Sequence, residues 1–241
     1  MVSFDSVVDA YDEGRPAYPA AVFEELEPLA GRRVVDVGAG TGIATQQLVA
    51  RGCNVVPLDI GSALLQRARH RVPGLAPVVA DGVRLPMRDA VADLVCFAQS
   101  WHWLDADQRC SEVARVLHDG GLWAAWWSHA RADDEAWFTT YWTVVERALP
   151  GTHRDERHTD WSATIDSELF EIRHHTIVEW TREVSVDVWM ADQASHSYIM
   201  VLNDSDRRRL LRSLRDIVEG QFGDGVMRVP YGTWLWVAEK R

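Results

Sequence analysis

The chain has 241 residues and a formal net charge of −11, because 36 acidic side chains outnumber 25 basic ones. This acidic balance disfavours a nucleic-acid partner, since a phosphate backbone requires concentrated lysine and arginine. The composition, 47% hydrophobic and 25% charged, is typical of a soluble globular protein, and the length fits one domain with a large core. We therefore expect a single domain over residues 1–241.

The sequence carries no sign of a membrane or secretory segment. No apolar run approaches the roughly 20 residues that cross a bilayer, and Met1–Asp5 lack both the basic and the apolar region of a signal peptide. The expected location is the cytoplasm, with no membrane partner. The three cysteines are widely spaced and indicate neither a disulfide framework nor a metal site. We expect them to be small core side chains and expect no metal.

Residues 1–30 precede the first predicted strand and contain a bend fixed by two prolines. Pro16 and Pro19 each hold the preceding residue in an extended backbone, so this part is not the interior of a helix. A helix is predicted over 20–30. The two tyrosines and one arginine of this stiff segment either close over a bound ligand as a lid or pack on the domain surface. The residues alone leave both interpretations open.

A short apolar strand, a turn with three glycines and a helix follow one another over residues 34–51. Gly38, Gly40 and Gly42 occupy every second position of the turn. Glycine adopts positive φ and lets a ligand approach the backbone without a Cβ in the way, and a helix start offers unpaired N–H groups. The pattern predicts a cradle for a small molecule, and its alternative is a plain turn between strand and helix.

The spacing of the glycines distinguishes two classes of ligand. A dinucleotide fingerprint, G-x-G-x-x-G, requires glycine at the position of Ile43, which weakens the case for NAD. The chain instead has D-x-G-x-G-x-G from Asp36, which resembles motif I of the class I methyltransferases that use S-adenosylmethionine (SAM). In that family the glycines pass under the methionine part of the cofactor and the acid helps to hold its ammonium group. The resemblance implies cofactor contacts for Asp36, Gly38, Ala39 and Gly40.

The second predicted strand, over 53–59, ends in the acidic residue Asp59. In a doubly wound sheet the tip of this strand lies beside the first, so its carboxylate is placed to accept both ribose hydroxyls of an adenosine. NAD and SAM both carry that ribose. The alternative is that Asp59 caps the predicted helix over 62–72. We include the neighbouring Ile60 among the predicted cofactor contacts.

A third strand over 77–80 is followed by Asp81, Gly82 and Val83, and a fourth strand is predicted over 93–98. The phrase A-D-x-x-x-L-P, followed by D-x-V, resembles the adenine-binding loop and fourth strand of the same methyltransferase family. The resemblance implies that Asp81 accepts from the adenine amino group and that Gly82 and Val83 lie along the ring. The alternative is an ordinary Asp-Gly turn.

The segment Gln99–Asp105 follows the fourth strand. Ligands of a doubly wound sheet lie outside the carboxyl ends of its strands, so this loop is expected to face the donor methyl group and the acceptor. Its A-Q-x-W-H-W pattern resembles a subgroup of small-molecule SAM methyltransferases that also has the N-terminal pattern Y-x-x-x-R-P-x-Y-P. The resemblance implies cofactor contacts for Tyr11, Arg15 and Gln99, with the planar guanidinium suited to the methionine carboxylate.

His102 is the candidate catalytic residue of this loop. Histidine suits a general base near neutral pH, and flanking tryptophans would keep the pocket dry. The alternative is a packed histidine bonded to a backbone carbonyl. The predicted acceptor pocket consists of Trp101, His102, Trp103 and Trp127. Aromatic walls there imply a flat or apolar acceptor, while most of the twelve tryptophans are expected in the core.

The second half of the chain is predicted to complete the sheet. Its predicted elements are a helix from 105 or 106 to 117, a glycine cap over 118–121, a fifth strand over 122–127, a sixth strand over 169–180, a mixed helical stretch over 185–200, an amphipathic helix over 204–222 and a last strand over 227–238. Residues of about 131–200 are expected on the acceptor side.

The predicted fold class is α/β, a Rossmann-like sheet of seven mostly parallel strands with an antiparallel last strand and helices on both faces. The resemblance implies a methyltransferase that moves the methyl group of SAM to an O, N or C atom of a small molecule and releases S-adenosylhomocysteine. A monomer or homodimer is expected. The alternatives are an NAD-dependent oxidoreductase, which Ile43 and the lack of a recognisable Tyr-x-x-x-Lys pair disfavour, and a non-methylating protein that binds an adenosyl ligand.

Overall fold

The computed structural model describes residues 14–151, 159–223 and 225–241. Numbered in chain order, the strands are β1 (Arg33–Val37), β2 (Asn54–Asp59), β3 (Val78–Val79), β4 (Ala92–Ala98), β5 (Leu117–Ala130), β6 (Phe170–Ser185) and β7 (Val226–Lys240). They form a seven-stranded sheet in the order β3-β2-β1-β4-β5-β7-β6. The first five strands in that order pair in parallel and the last strands are antiparallel. The predicted fold class is thereby confirmed.

The helices of the described residues are α1 (Ala20–Glu24), α2 (Ile43–Val49), α3 (Ser62–Arg71), α4 (Arg109–Val116), α5 (Ala136–Ala148), α6 (Val186–Ala194), α7 (Ser197–Met200) and α8 (Asp204–Phe222). Short 3-10 helices cover Trp101–Trp103 and Trp161–Thr164. Within the part of the chain that the structure describes, every helix is too short or too polar to cross a membrane.

The chain divides into two compact units. The first unit comprises the described residues of Met1–Pro16, His129–Thr159 and Glu179–Gly232. The second unit comprises Ala17–Ser128, Asp160–Val178 and Thr233–Arg241. The expectation of a single domain over residues 1–241 stays a prediction.

In the second unit, successive residues of the central strands cover opposite faces of the sheet. Val35, Val95 and Phe97 pack on one face with the apolar side of α4. Val34 and Leu94 pack on the other face with α1 and α2. Because both faces are buried, β1 and β4 are mostly apolar along their length and do not alternate between apolar and polar residues. The carboxyl ends of these strands are therefore the place where a ligand can meet the backbone.

The first unit has its own apolar core, in which α5 and α8 pack through residues such as Trp137 and Leu214. Both ends of α8 coincide with the predicted helix over 204–222. The helix begins after Asn203, whose side-chain oxygen accepts the N–H groups of Ser205 and Asp206. This cap satisfies two of the backbone donors that a helix start leaves without partners.

Two predicted helices are shorter than the sequence indicated. The first, α1, ends at Glu24 rather than near residue 30, because Pro28 follows and disfavours helical backbone before it. The second, α4, begins at Arg109 rather than at 105 or 106. Its predicted start is instead a turn, in which the carboxylate of Asp105 accepts the N–H of Asp107.

The glycine cap predicted over 118–121 is wrong, because these residues lie within β5. The pairing of β5 with β4 jumps from Leu117, opposite Ala92, to Leu122, opposite Leu94. The residues between form a bulge, and Gly120 supplies a φ of 78° there. A glycine pair has the same sequence pattern in a bulge as in a helix cap, since both need positive φ.

Candidate functional site

The glycine turn after β1 has the backbone that its sequence predicts. Gly38, Gly40 and Gly42 have φ values of 71°, 56° and 83°, a region that other residues rarely adopt. A Cβ on Gly38 would lie 2.4 Å from the Cβ of Ser100, and the Ser100 hydroxyl donates to the carbonyl of Val37. The ends of β1 and β4 are therefore packed together through a position where only glycine fits.

Asp59 connects the end of β2 to this turn. Its carboxylate accepts the N–H of Gly40 at 2.9 Å and the N–H of Gly61 at 2.7 Å. The carbonyl of Leu58 accepts two further N–H groups of the turn, from Gly38 and Ala39. The role of Asp59 as a ribose acceptor stays a prediction.

The ends of β2 and β3 bring Ile60 and Asp81 to the same edge of the sheet. Ile60 is 65% exposed although it is a large apolar side chain. The N–H of Ala80 donates to the carbonyl of Asp59, and the exposed carboxylate of Asp81 accepts the N–H of Val83 at 3.1 Å. An exposed apolar side chain at an edge that also carries carboxylates is suited to binding a small molecule.

Gly82 packs tightly in the loop that follows β3. A Cβ added there would lie 2.9 Å from Cγ1 of Val37 and 3.1 Å from a side-chain carbon of Leu104. The loop therefore lies against the end of β1, as a shared ligand site requires. The loop can approach β1 this closely only because Gly82 has no side chain. The Asp-Gly pair in the sequence did not reveal this packing.

Asp36 has surroundings that differ from those expected for a ligand contact. Its side chain is fully buried, and its carboxylate accepts from the Thr45 hydroxyl at 2.5 Å and faces the Cys96 thiol at 3.7 Å. Burial raises the pKa of Asp36 to about 6. The predicted contact with a cofactor ammonium group would need an exposed oxygen, and in this structure Asp36 has none. The acid instead joins β1 to the first turn of α2.

Gln99 lies at the end of β4 with a φ of 60°. A residue other than glycine in this region costs about 1–3 kcal/mol and persists only where its surroundings fix it. Here the N–H of Gln99 donates to the carbonyl of Trp126 at 2.9 Å, and its side-chain amide lies 3.4 Å from the Tyr18 hydroxyl. Backbone strain of this kind is concentrated at binding sites, so the position agrees with the predicted cofactor contact without testing it.

His102 lies in the 3-10 helix that follows β4, beside three indole rings. Its ring centroid is 4.6 Å from Trp103, 6.2 Å from Trp127 and 6.0 Å from Trp161. His102 is exposed, but desolvation by the neighbouring rings and, to a smaller extent, the nearby Arg109 cation lower the pKa of its imidazole to about 4. We call Trp103, Trp127 and Trp161 the aromatic cluster. The imidazole inside it is neutral at neutral pH.

The four residues predicted for the acceptor pocket differ in their exposure. Trp101 is fully buried, packs on Phe97 and Trp123, and donates its indole N–H to Thr164. It has no surface open to a ligand, because the turn of the 3-10 helix points it into the core. Trp103 is 58% exposed and offers the open ring face that was expected of Trp101.

The sequence did not identify Trp161 as part of this site. Its ring stacks on Trp127, with centroids 4.5 Å apart and planes 12° apart. Trp127 is in β5, whereas Trp161 begins a 3-10 helix in a distant part of the chain. No local spacing links two residues that meet only through the fold, so only the tertiary structure could reveal this pair.

Arg15 belongs to a buried charged cluster of the first unit. Its Nε lies 3.3 Å from Oδ1 of Asp192, and Arg182 donates to Oδ2 of Asp192 at 2.6 Å and to the Tyr231 hydroxyl at 2.9 Å. Burial alone would raise the pKa of Asp192, but His196 and the two arginines outweigh it and hold that pKa well below its usual range. The cluster thus contains an ionised acid that two arginines neutralise.

Tyr11 and Arg15 were both predicted to contact the cofactor, but the structure describes only Arg15. Tyr11 lies outside the described residues. Arg15 is described, and its charge is paired with Asp192, while Arg182 donates to the carbonyl of the preceding Gly14. Both contacts stay predictions.

Comparisons with known proteins agree on one family. A family model described as a methyltransferase domain matches residues 35–125. An uncharacterized methyltransferase of Mycobacterium tuberculosis (strain H37Rv) is 33% identical over 217 residues, which are 90% of this chain and 86% of that protein.

Two solved structures have the same fold. A protein of Anaeromyxobacter dehalogenans, assigned as a type II methyltransferase, has a TM-score of 0.72 at 22% identity and covers 94% of this chain and 97% of its own. A geranyl diphosphate methyltransferase in complex with SAM has a TM-score of 0.51 at 15% identity, over 92% of this chain and 83% of its own.

Proposed function

The chain belongs to the class I SAM-dependent methyltransferases, and from this premise we propose that it transfers the methyl group of SAM to a small molecule with a flat or apolar body. The bond between the Asp59 carboxylate and the Gly40 N–H carries the proposal. It joins the two sequence segments expected to hold an adenosine into one edge of the sheet, where backbone, carboxylate and apolar surface meet.

The cofactor contacts we propose follow from this edge. The Gly38–Gly40 backbone, in which both glycines have positive φ values and no side chain, accommodates the methionine part. Asp59 accepts the ribose hydroxyls, the exposed Ile60 covers one face of the adenine, and the Asp81 loop meets its edge. When bound, SAM supplies a methyl group on a positively charged sulfur. The task of this chain is then to orient the reactants and exclude water.

The acceptor side of the proposal depends on the aromatic cluster. Trp103 presents an open ring face beside His102, and Trp127 stacked on Trp161 forms a rigid wall behind it. Aromatic rings bind flat or apolar bodies through their large contact area and favour offset stacking. This arrangement supports a small aromatic or apolar acceptor better than a large polar one.

Calorimetry and product analysis test the proposal together. We expect wild-type protein to bind SAM and S-adenosylhomocysteine but not NAD. With SAM present, release of S-adenosylhomocysteine is expected on a panel of flat acids, phenols and amines. Binding of NAD without SAM would support an oxidoreductase. Binding of SAM with no release on small molecules, but release on a protein or nucleic-acid acceptor, would contradict the small-molecule assignment.

A further inference from the structure

The hydrogen bond between Trp127 and His102 fixes where the imidazole carries its proton. The indole Nε1 of Trp127 lies 3.4 Å from Nδ1 of His102 and donates to it. An indole nitrogen is only a donor, so Nδ1 must be the acceptor. The neutral ring therefore carries its hydrogen on Nε2.

Trp127 holds this arrangement because it cannot easily turn away. Its side chain is only 5% exposed, and its ring is stacked on Trp161 and lies edge-on to Trp236 at 5.7 Å. Protonation of His102 would set an N–H on Nδ1 against the N–H of the indole. This repulsion adds to the desolvation and the Arg109 charge that already lower the pKa of His102 to about 4.

A general base must present a lone pair to its substrate. The lone pair of His102 is instead directed at Trp127, and the nitrogen that remains, Nε2, presents an N–H. The geometry thus makes His102 a hydrogen-bond donor. This differs from the general-base role that the sequence suggested for it.

Arg109 gives the same region a positive charge, which Asp105 offsets only in part because the two side chains do not form an ion pair. Its side chain is 7% exposed, its guanidinium lies 4.5 Å over the Trp101 ring, and one nitrogen donates to the Trp101 carbonyl at 3.2 Å. Its Nε has no hydrogen-bond partner, and none of the described carboxylates comes within ion-pair distance. Burial lowers the pKa of the guanidinium, as expected of a cation short of compensation. An anion near His102 would lower this cost.

We propose that the methyl acceptor is a carboxylic acid, bound as its carboxylate with one oxygen accepting the Nε2–H of His102 and its flat body on Trp103. This inference rests on the proposed function and deepens it. A carboxylate is ionised at neutral pH, with pKa values of about 4 for side-chain acids, so no base is needed.

The transfer balances without a proton. One carboxylate oxygen attacks the methyl carbon, the O–CH3 bond forms, and the S–CH3 bond breaks with its electron pair going to sulfur. The anion and the sulfonium cation become a neutral methyl ester and neutral S-adenosylhomocysteine. The role of His102 is to orient the carboxylate, with the positive charge of Arg109 stabilising it.

Nitrogen-15 NMR of the full-length protein tests the proton position without any substrate. At neutral pH we expect the His102 Nδ1 signal at the unprotonated position and the Nε2 signal at the protonated one, assigned by their loss in His102→Gln. Trp127→Phe keeps a ring but removes the donor, and both His102 signals should move toward a mixture of forms. A proton on Nδ1 of the wild-type protein, or no change in Trp127→Phe, would overturn the inference.

Kinetics with defined acids test the acceptor class. Cinnamate and benzoate are the probes, with cinnamyl alcohol and cinnamamide as uncharged counterparts, and methyl esters are identified by mass spectrometry. We expect ester from the acids alone. Because Gln retains an N–H donor near the Nε2 position, His102→Gln should keep KM and kcat within a few-fold of wild type. His102→Leu should raise KM by at least about tenfold, as expected for a lost bond to a charged group.

A base role predicts a different pattern, because both variants would lose kcat to a similar extent and the wild-type rate would fall in acid with the imidazole. His118→Gln and His118→Leu are matched controls, since His118 pairs with Asp93 at the other end of the sheet, and should leave both constants unchanged. Calorimetry separates the two proposals. Failure of the protein to bind SAM contradicts the proposed function, whereas SAM binding with methylation only of alcohols, phenols or amines contradicts the carboxylate assignment.

Discussion

The carboxylate of Asp59 lies 2.9 Å from the backbone nitrogen of Gly40, so the end of β2 holds the turn that follows β1. We expect Asp59→Ala to weaken SAM binding by about 1.5–3 kcal/mol, the range for hydrogen bonds to a charged group. Isothermal calorimetry with SAM and S-adenosylhomocysteine measures this. Unchanged affinity would remove Asp59 from the site.

Asp166→Ala is the matched control for this variant. Asp166 is also an aspartate whose carboxylate accepts an N–H two residues later, from Glu168 at 2.8 Å, but it does not lie in the proposed cofactor site. It should bind SAM like the wild type. The melting temperature of ligand-free Asp59→Ala should also fall, because Gly40 and Gly61 lose their partner.

Ile60→Ala tests the proposed adenine contact with little risk to the fold. Because the side chain is 65% exposed in the absence of ligand, truncation should leave the free energy of unfolding within about 0.5 kcal/mol of wild type. SAM affinity should fall by about 1–2 kcal/mol, since less apolar surface is covered on binding. Ile172→Ala, at 41% exposure on β6, is the control and should bind normally. Equal affinities of the two variants would contradict the contact.

Gly38→Ala should be costly for two separable reasons. Gly31→Ala isolates the first, because Gly31 has a φ of 81° with nothing near its missing side chain, and should lower the free energy of unfolding by about 1 kcal/mol. Gly38→Ala adds the clash with Ser100, so it should lower the free energy of unfolding more than Gly31→Ala does. It should also reduce SAM binding. Adding Ser100→Gly should restore part of the loss. Urea unfolding of the single and double variants measures these terms, and equal costs at both glycines would refute the packing argument.

Asp36 should make stability fall as the pH rises. Burial raises its pKa from 3.8 to about 6, so between these values the folded chain holds a proton that the unfolded chain releases. Its favourable contribution is present below pH 4 and lost as the pH rises through 6. As the pH rises from about 4 to 7, the free energy of unfolding of Asp36→Asn should increase by about 2–3 kcal/mol relative to that of the wild type. Urea unfolding at several pH values measures this difference.

Asp93→Asn is a control for which the stability should change with pH in the opposite direction. Arg33 donates to the Asp93 carboxylate through its side chain and backbone, which holds the pKa of Asp93 well below its usual range. Stability from this pair is present above the unfolded pKa and is lost as the pH falls. The wild type should be more stable than Asp93→Asn by an amount that shrinks in acid. Asp36→Asn should be more stable than the wild type by an amount that grows toward neutral pH. Both results together would verify the two predicted directions of the pH dependence.

The parallel half of the sheet could be predicted because its strands are apolar runs that end in turn or acidic residues. The positions of Asp59 and Asp81 at one edge of the sheet could be predicted for the same reason, since the carboxyl ends of parallel strands meet there, and their contacts with a ligand stay predictions. The surroundings of Asp36 were not, because an aspartate within a buried strand has the same sequence pattern whether it meets Thr45 or a ligand. Nor could Trp161 be found, since its partner Trp127 is distant along the chain.

The bond from Arg182 to the Gly14 carbonyl spans 168 positions of the sequence. During synthesis Gly14 thus meets this partner only after the chain as far as Arg182 has followed it, and Tyr231, another partner of Arg182, emerges later still. Contacts of such long separation are formed slowly because the intervening chain must first be ordered. We therefore expect synthesis of the segment that contains Arg182 and Tyr231, rather than of the segments before it, to limit how quickly the protein becomes resistant to proteases.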